Sequence, residues 1–125
     1  MNFQKVSLPQ GIHLVGVPIG TARDITLRAL DVLASADVLA AEDTRSLRRL
    51  MDIHGVPLNG RHIHTLHDHS TDKVVAQLLA RAGEGGSVAY ASEAGMPLIA
   101  DPGFELIRAA RDAGVPVHCA PGPSA

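Results

Sequence analysis

Short apolar runs and helix-period segments alternate along the whole chain, and this alternation restricts the fold more than any other feature. Ile12 to Val17 is a compact β-like run ended by Pro18 and Gly20. Thr26 to Ala36 carries Leu27, Leu30, Leu33 and Ala34 at helical spacing, with Asp24 or Thr26 placed to cap it. Val38 to Ala41 is a second strand. Thr44 is the expected N-cap of a helix striped by Leu47, Leu50 and Met51, with Arg45, Arg48 and Arg49 off the stripe. Gly55, Pro57 and Asn59-Gly60 turn the chain into a third strand, His62 to Leu66.

Ser70 or Thr71 is expected to cap the next helix, whose apolar face is Val74, Val75, Leu78, Leu79 and Ala82 and which Gly83, Gly85 and Gly86 break. Ser87 to Ala91 is a fourth strand. Asp101 is placed to cap a helix starting at Pro102, where a proline costs least. Leu106, Ile107 and Ala110 face inward on that helix, Gly114 ends it, and Val117 to Ala120 is a fifth strand. The order β-α-β-α-β-α-β-α-β predicts an α/β fold. Its sheet is mostly parallel and five-stranded, with helices on both faces. Residues 1–10 read as an N-terminal tail and residues 11–125 as one α/β domain. The chain stops just after a strand, where such a unit ordinarily continues, so a fragment lacking a C-terminal domain is expected.

Composition narrows the function. Apolar residues make up 46% of the 125 and charged residues 19%, a balance that supports a packed core. The net charge of −2, from 11 basic and 13 acidic residues, is no global footprint for nucleic acid. The few aromatics, Phe3, Tyr90 and Phe104, leave little to stack bases on. The single Cys119 permits no internal disulfide and fits a reducing cytoplasm. No segment approaches the roughly 18 consecutive apolar residues of a membrane span.

Ligands of open parallel sheets bind beyond the carboxyl ends of the strands. The kinked, small and charged residues of this chain gather after all five strands: Val17-Pro18-Ile19-Gly20, Glu42-Asp43-Thr44-Arg45, His67-Asp68-His69, Ser92 to Gly103, and Pro121-Gly122-Pro123-Ser124-Ala125. The Ser92–Gly103 loop exceeds the usual 2–6 residues of such connections, and long loops are commonly functional. It matches neither a dinucleotide fingerprint nor a Walker A sequence.

Glu42 and Asp43 are adjacent, so only one is expected to face the crevice; helix capping competes with catalysis for both. Arg45 suits a phosphate or carboxylate, or a solvated first turn. His62, His64, His67 and His69 invite a metal reading, but without His-Glu-x-x-His or paired cysteines no metal site is expected. His67 is placed instead to hydrogen-bond or shuttle a proton.

Taken together and in order, these five motifs, with Asp24-Ile25-Thr26 and Asp101-Pro102-Gly103, resemble the ribosomal RNA small subunit methyltransferase I family of the tetrapyrrole methylase superfamily. The resemblance runs from about Gly11 to Ala125. It implies a two-domain homodimer that binds S-adenosylmethionine between its domains and 2′-O-methylates a cytidine of small-subunit ribosomal RNA. It implies that Pro18, Glu93, Ala94, Gly95, Met96, Pro97, Leu98, Ile99, Ser124 and Ala125 line the cofactor pocket. Glu42, Asp43, Arg45 and His67 would face the RNA, the first two and His67 as candidate bases. The chain departs from the family pattern at Thr21-Ala22, Ser70, Glu93 and Met96. Methylation of a tetrapyrrole or another small acceptor is the alternative within the superfamily. A non-catalytic ligand-binding or dimerisation module is the alternative for the chain alone, which is expected to be inactive by itself.

Overall fold

A computed structural model describes residues 2–67, 71–97 and 103–123, with only the backbone of Thr71. The elements follow the expected order: β1 (Gly11–Val15), a 3-10 turn (Ala22–Asp24), α1 (Leu27–Ser35), β2 (Val38–Ala41), α2 (Thr44–Ile53), β3 (Ile63–Thr65), α3 (Thr71–Gly83), β4 (Ser87–Ala91), α4 (Gly103–Asp112) and β5 (Val117–Ala120). The strands form one sheet in the order β3-β2-β4-β1-β5, and every pairing is parallel.

Period-two alternation divides the core between the two faces. Val15, Leu39, Ala41, Ala89 and Ala91 pack with Leu30 and Leu33 of α1 and Leu47 and Met51 of α2. Leu14, Val38, Ala40, Val88 and Tyr90 pack with Val75 and Leu78 of α3 and Leu106 and Ala110 of α4. Two helices cover each face, which is why β2 and β4 read as nearly continuous apolar runs and β1 is broken only by His13.

Several boundaries differ from expectation for physical reasons. β1 ends at Val15 because Val17 turns away to pair with Gly95. β3 is three residues long because it pairs only with Leu39–Ala41 at the sheet edge. Thr26, not Asp24, caps α1: its Oγ1 accepts from Ala29 N at 3.1 Å, while Asp24 lies in the 3-10 turn. Thr44 is the first helical residue of α2, and Asp43 is its cap, a carboxylate reaching two free amides where one was expected from a hydroxyl. The expected caps Ser70 and Asp101, and Pro102, lie outside the described residues.

Three polar contacts position the frame. Ser87 N donates to Asp37 Oδ2 at 2.9 Å and Asp37 N to Ser87 Oγ at 3.0 Å, which fixes the entry of β2 beside β4. Arg61 donates to the carbonyls of Leu33, Ala36, Pro57 and Leu58, tying the end of α1 to the α2–β3 loop. The first residues form a strap over α1. Gln4 N donates to Asp31 Oδ1 at 2.7 Å, Val6 N donates to Ser35 Oγ at 2.9 Å, and Phe3 is buried in the core.

Candidate functional site

The strand order opens a crevice at the carboxyl edge. β4 lies between β1 and β2, which lead into α1 and α2 on one face, whereas β4 leads into α4 on the other. Adjacent strands whose chains depart to opposite faces leave a gap between their loops, and ligands of such sheets bind there.

Three loops converge on the β1 side of this gap. Val17 N donates to Gly95 O at 3.0 Å and Gly95 N to Val17 O at 3.1 Å, so the loop after β4 folds back onto the loop after β1. Gly95 has φ +71°, a conformation that glycine adopts without strain. Ser92 is buried and its hydroxyl donates to Ala94 O at 3.1 Å, pinning the same turn. The loop after β5 approaches Gly16 so closely that a Cβ there would lie 2.6 Å from Gly122 N and 2.7 Å from Met96 Sδ. Two glycines and a flexible thioether thus let the β1, β4 and β5 loops meet as one seam.

The acidic pair after β2 serves this architecture. Glu42 Oε1 accepts from Glu93 N at 3.0 Å, joining the β2 and β4 loops. Asp43 Oδ1 accepts from Arg45 N at 3.0 Å and Ser46 N at 3.2 Å. The Ser46 amide, with help from that of Arg45 and from the Arg45 charge, holds the Asp43 carboxyl below its usual range. Arg45 is exposed on α2, and His67 is exposed just beyond β3.

The residues expected to bind cofactor divide into four groups. Pro18 and Glu93 line a cleft, and Gly95 and Met96 belong to the seam. Ala94 is exposed and Pro97 buried in the same loop. Leu98, Ile99, Ser124 and Ala125 lie outside the described residues, as do Asp68 and His69.

The cleft itself, about 190 Å³, lies between the β1 loop, the 3-10 turn and α2. Ala22, Ser46, Arg49 and Ile53 line it together with Pro18 and Glu93. His54 braces it by donating from Nε2 to Ala22 O at 2.7 Å. The sequence reading made none of Ser46, Arg49 and Ile53 a site residue, noting Arg49 only as off the buried stripe. Their i, i+3, i+7 spacing was the available signal, a second stripe beside the buried one. The His62 and His64 rings meet edge to face at 4.9 Å, and burial, then the charges of His62 and Arg81, lowers the His64 pKa. Among the described residues, no three His, Cys, Asp or Glu side chains gather as metal ligands.

Comparison with known proteins identifies the family. The family model for Tetrapyrrole (Corrin/Porphyrin) Methylases matches residues 11–125. The chain belongs to the tetrapyrrole methylase family. Among tetrapyrrole methylase relatives, it is similar to "Ribosomal RNA small subunit methyltransferase I" of Escherichia coli O157:H7, with 46% identity over 99% of this chain and 43% of that one. The protein of the same name from Mesorhizobium japonicum is 45% identical over 94% of this chain and 39% of the relative. The chain therefore spans less than half the length of these curated relatives. The crystal structure of uroporphyrin-III-C-methyltransferase from Thermus thermophilus superposes with a TM-score of 0.66 and 28% identity, covering 92% of this chain and 48% of that one. The all-parallel α/β frame is thus that of a tetrapyrrole methylase.

Proposed function

We propose that this chain supplies the carboxyl-edge portion of an S-adenosylmethionine-dependent methyltransferase site, and that the acceptor is a cytidine 2′-hydroxyl of small-subunit ribosomal RNA. The convergence of the β1, β4 and β5 loops through Gly16, Gly95 and Gly122 carries this reading. Such a seam locks the three loops together, Val17 and Gly95 pairing their own main-chain groups, and so offers a ligand a fixed wall. Glu93, exposed on the cleft wall, offers a carboxylate to ribose hydroxyls or an ammonium group. These residues fit the cofactor's adenosyl and methionyl ends. A cleft of about 190 Å³ is smaller than the ~300–1,000 Å³ of typical small-molecule sites, so it holds only part of a cofactor and acceptor pair.

When bound, S-adenosylmethionine supplies a methyl group on a sulfonium centre. The chain's own residues bind, align and exclude water. The seam holds the cofactor side, with the expected contributions of Leu98, Ile99, Ser124 and Ala125. Glu42 fixes the β4 loop through the Glu93 amide. His67 at the end of β3 is assigned as the acceptor of the hydroxyl proton because an imidazole exchanges protons near neutral pH, while Asp43 caps α2. Arg45 faces the RNA. The family resemblance further supports a homodimer acting on the small ribosomal subunit.

The test is transfer of labelled methyl groups by the protein to small ribosomal subunits lacking the modification. Incorporation at a cytidine ribose is expected; transfer to a tetrapyrrole and none to ribosomal RNA contradicts the reading. One observation favours that second acceptor: the structural similarity to uroporphyrin-III-C-methyltransferase.

A further inference from the structure

We propose that the outward face of α2, carrying Arg45, Arg48 and Arg49, is a phosphate-gripping surface for the RNA backbone beside the cleft. The proposal rests on the RNA reading above and adds the surface that makes it physically workable. A chain of net charge −2 has no overall field to draw in a polyanion, so phosphate contacts have to come from a local concentration of cations.

α2 provides that concentration. Leu47, Leu50 and Met51 take its buried side, and the three arginines are exposed. Arg45 and Arg49 stand one turn apart, about 6 Å along the axis, with Arg48 on their flank. Arg49 also lines the cleft, so the cationic face and the cleft are continuous. Among the described residues the one ion pair within 4.0 Å is Arg108–Glu105 on α4, so none of the three α2 guanidinium groups is in contact with a described carboxylate. Asp43, two residues before Arg45, is engaged by the Arg45 and Ser46 amides and also feels the Arg45 charge. Asp52 is the single carboxylate within α2. Ten residues thus carry three arginines and one aspartate at the edge where the acceptor is to be held. Planar guanidinium groups grip phosphate oxygens two at a time, which a point-charge ammonium does not.

The experiment measures binding of a short fluorescein-labelled single-stranded RNA to the full chain by anisotropy, between about 50 and 200 mM salt. It compares wild type, a triple variant Arg45→Gln, Arg48→Gln, Arg49→Gln, and the corresponding triple Lys variant. Thermal unfolding confirms that each is folded. Each phosphate contact to a single strand contributes about −0.7 to the slope of log K against log salt. The Gln variant is expected to flatten that slope by about 2 and the Lys variant to keep most of it. Wild-type binding that the Gln variant reproduces in affinity and slope overturns the α2 assignment and leaves the RNA reading standing. If wild type binds a uroporphyrin polycarboxylate but no RNA at any salt, the RNA reading falls and this proposal with it.

Discussion

The carboxylate of Glu42 accepts the backbone amide of Glu93 at 3.0 Å, so the loop after β2 holds the loop after β4 across the sheet edge. The two residues are 51 positions apart and belong to neighbouring strands, and Glu42 N itself donates to Ala91 O at 3.1 Å. An acidic residue that sequence reasoning made a candidate base is, in the fold, a brace for the proposed cofactor loop. Glu42→Ala is expected to weaken S-adenosylhomocysteine binding about fivefold, the equivalent of about 1 kcal/mol for a partly exposed hydrogen bond to a carboxylate. Glu42→Gln, which keeps an acceptor, is expected to recover most of it. Titration calorimetry of both variants reads the difference, and equal affinities for wild type and Glu42→Ala would remove the bracing role.

Gly16 tests the seam. An added Cβ meets Gly122 main-chain atoms as well as the movable Met96 sulfur. Gly16→Ala is expected to destabilise the chain by about 1–3 kcal/mol, the usual range for overpacking. It should also separate the β1 and β5 loops. Denaturant unfolding gives the first quantity. A variant as stable as wild type would show that the loops yield without cost.

Asp43 separates capping from catalysis. Asp43→Ala is expected to cost about 1 kcal/mol through α2, and Asp43→Asn much less because the amide oxygen still accepts. Its folded pKa lies below the 3.8 of the unfolded chain. The ionic part of the cap is therefore complete above that value and is lost as pH falls through the folded one. Turnover of Asp43→Asn is expected to remain near wild type, whereas His67→Ala loses about 10²–10⁴-fold if it takes the hydroxyl proton. Methyl-transfer kinetics that reverse this order would make Asp43 the base.

His13 gives the fold a pH dependence. It is buried against α1, its Nε2 bonds Pro9 O at 2.8 Å, and its ring stacks on His118 with centroids 4.6 Å apart. Burial lowers its pKa from 6.5, opposed by the Pro9 hydrogen bond and aided by His118. Between that lowered value and 6.5 the unfolded chain holds more protons than the folded one, so stability falls as pH is lowered through this window. His64 shifts in the same direction. The Tm of wild type should drop between about pH 7.5 and about pH 5.5, and His13→Gln should drop less. Parallel pH profiles would place the effect elsewhere.

Much of this architecture was legible in the residues. β2 and β4 occupy the residues their apolar runs indicated, because strands buried on both faces leave an unbroken signal; β5 also lies where it was expected, although at the sheet edge only its Ala120 is buried. The clustering of Pro18, Glu42, Glu93 and Gly95 at one sheet edge was also readable, since parallel topology places every strand's carboxyl end together. Roles set by tertiary contact were not. Nothing local distinguishes Asp43 the cap from Asp43 the base, or shows that Glu42 reaches Glu93. Arg61 drew no attention in the sequence, yet it donates to four carbonyls, two at the end of α1 and two in the α2–β3 loop. The antiparallel pairing of Val17 with Gly95 lies outside any period that a strand or helix imposes.

The central claim is that the β1, β4 and β5 loops form the cofactor side of a methyltransferase site. The most direct measurement is the amide chemical-shift response of the full chain to S-adenosylhomocysteine, followed residue by residue in ¹⁵N-labelled protein. The account predicts saturable shifts centred on Gly16, Val17, Gly95, Met96 and Gly122, sharply reduced in Gly16→Ala. Shifts confined to the opposite end of the sheet, around Gly11 and Gly86, or no shifts at millimolar ligand, would contradict it.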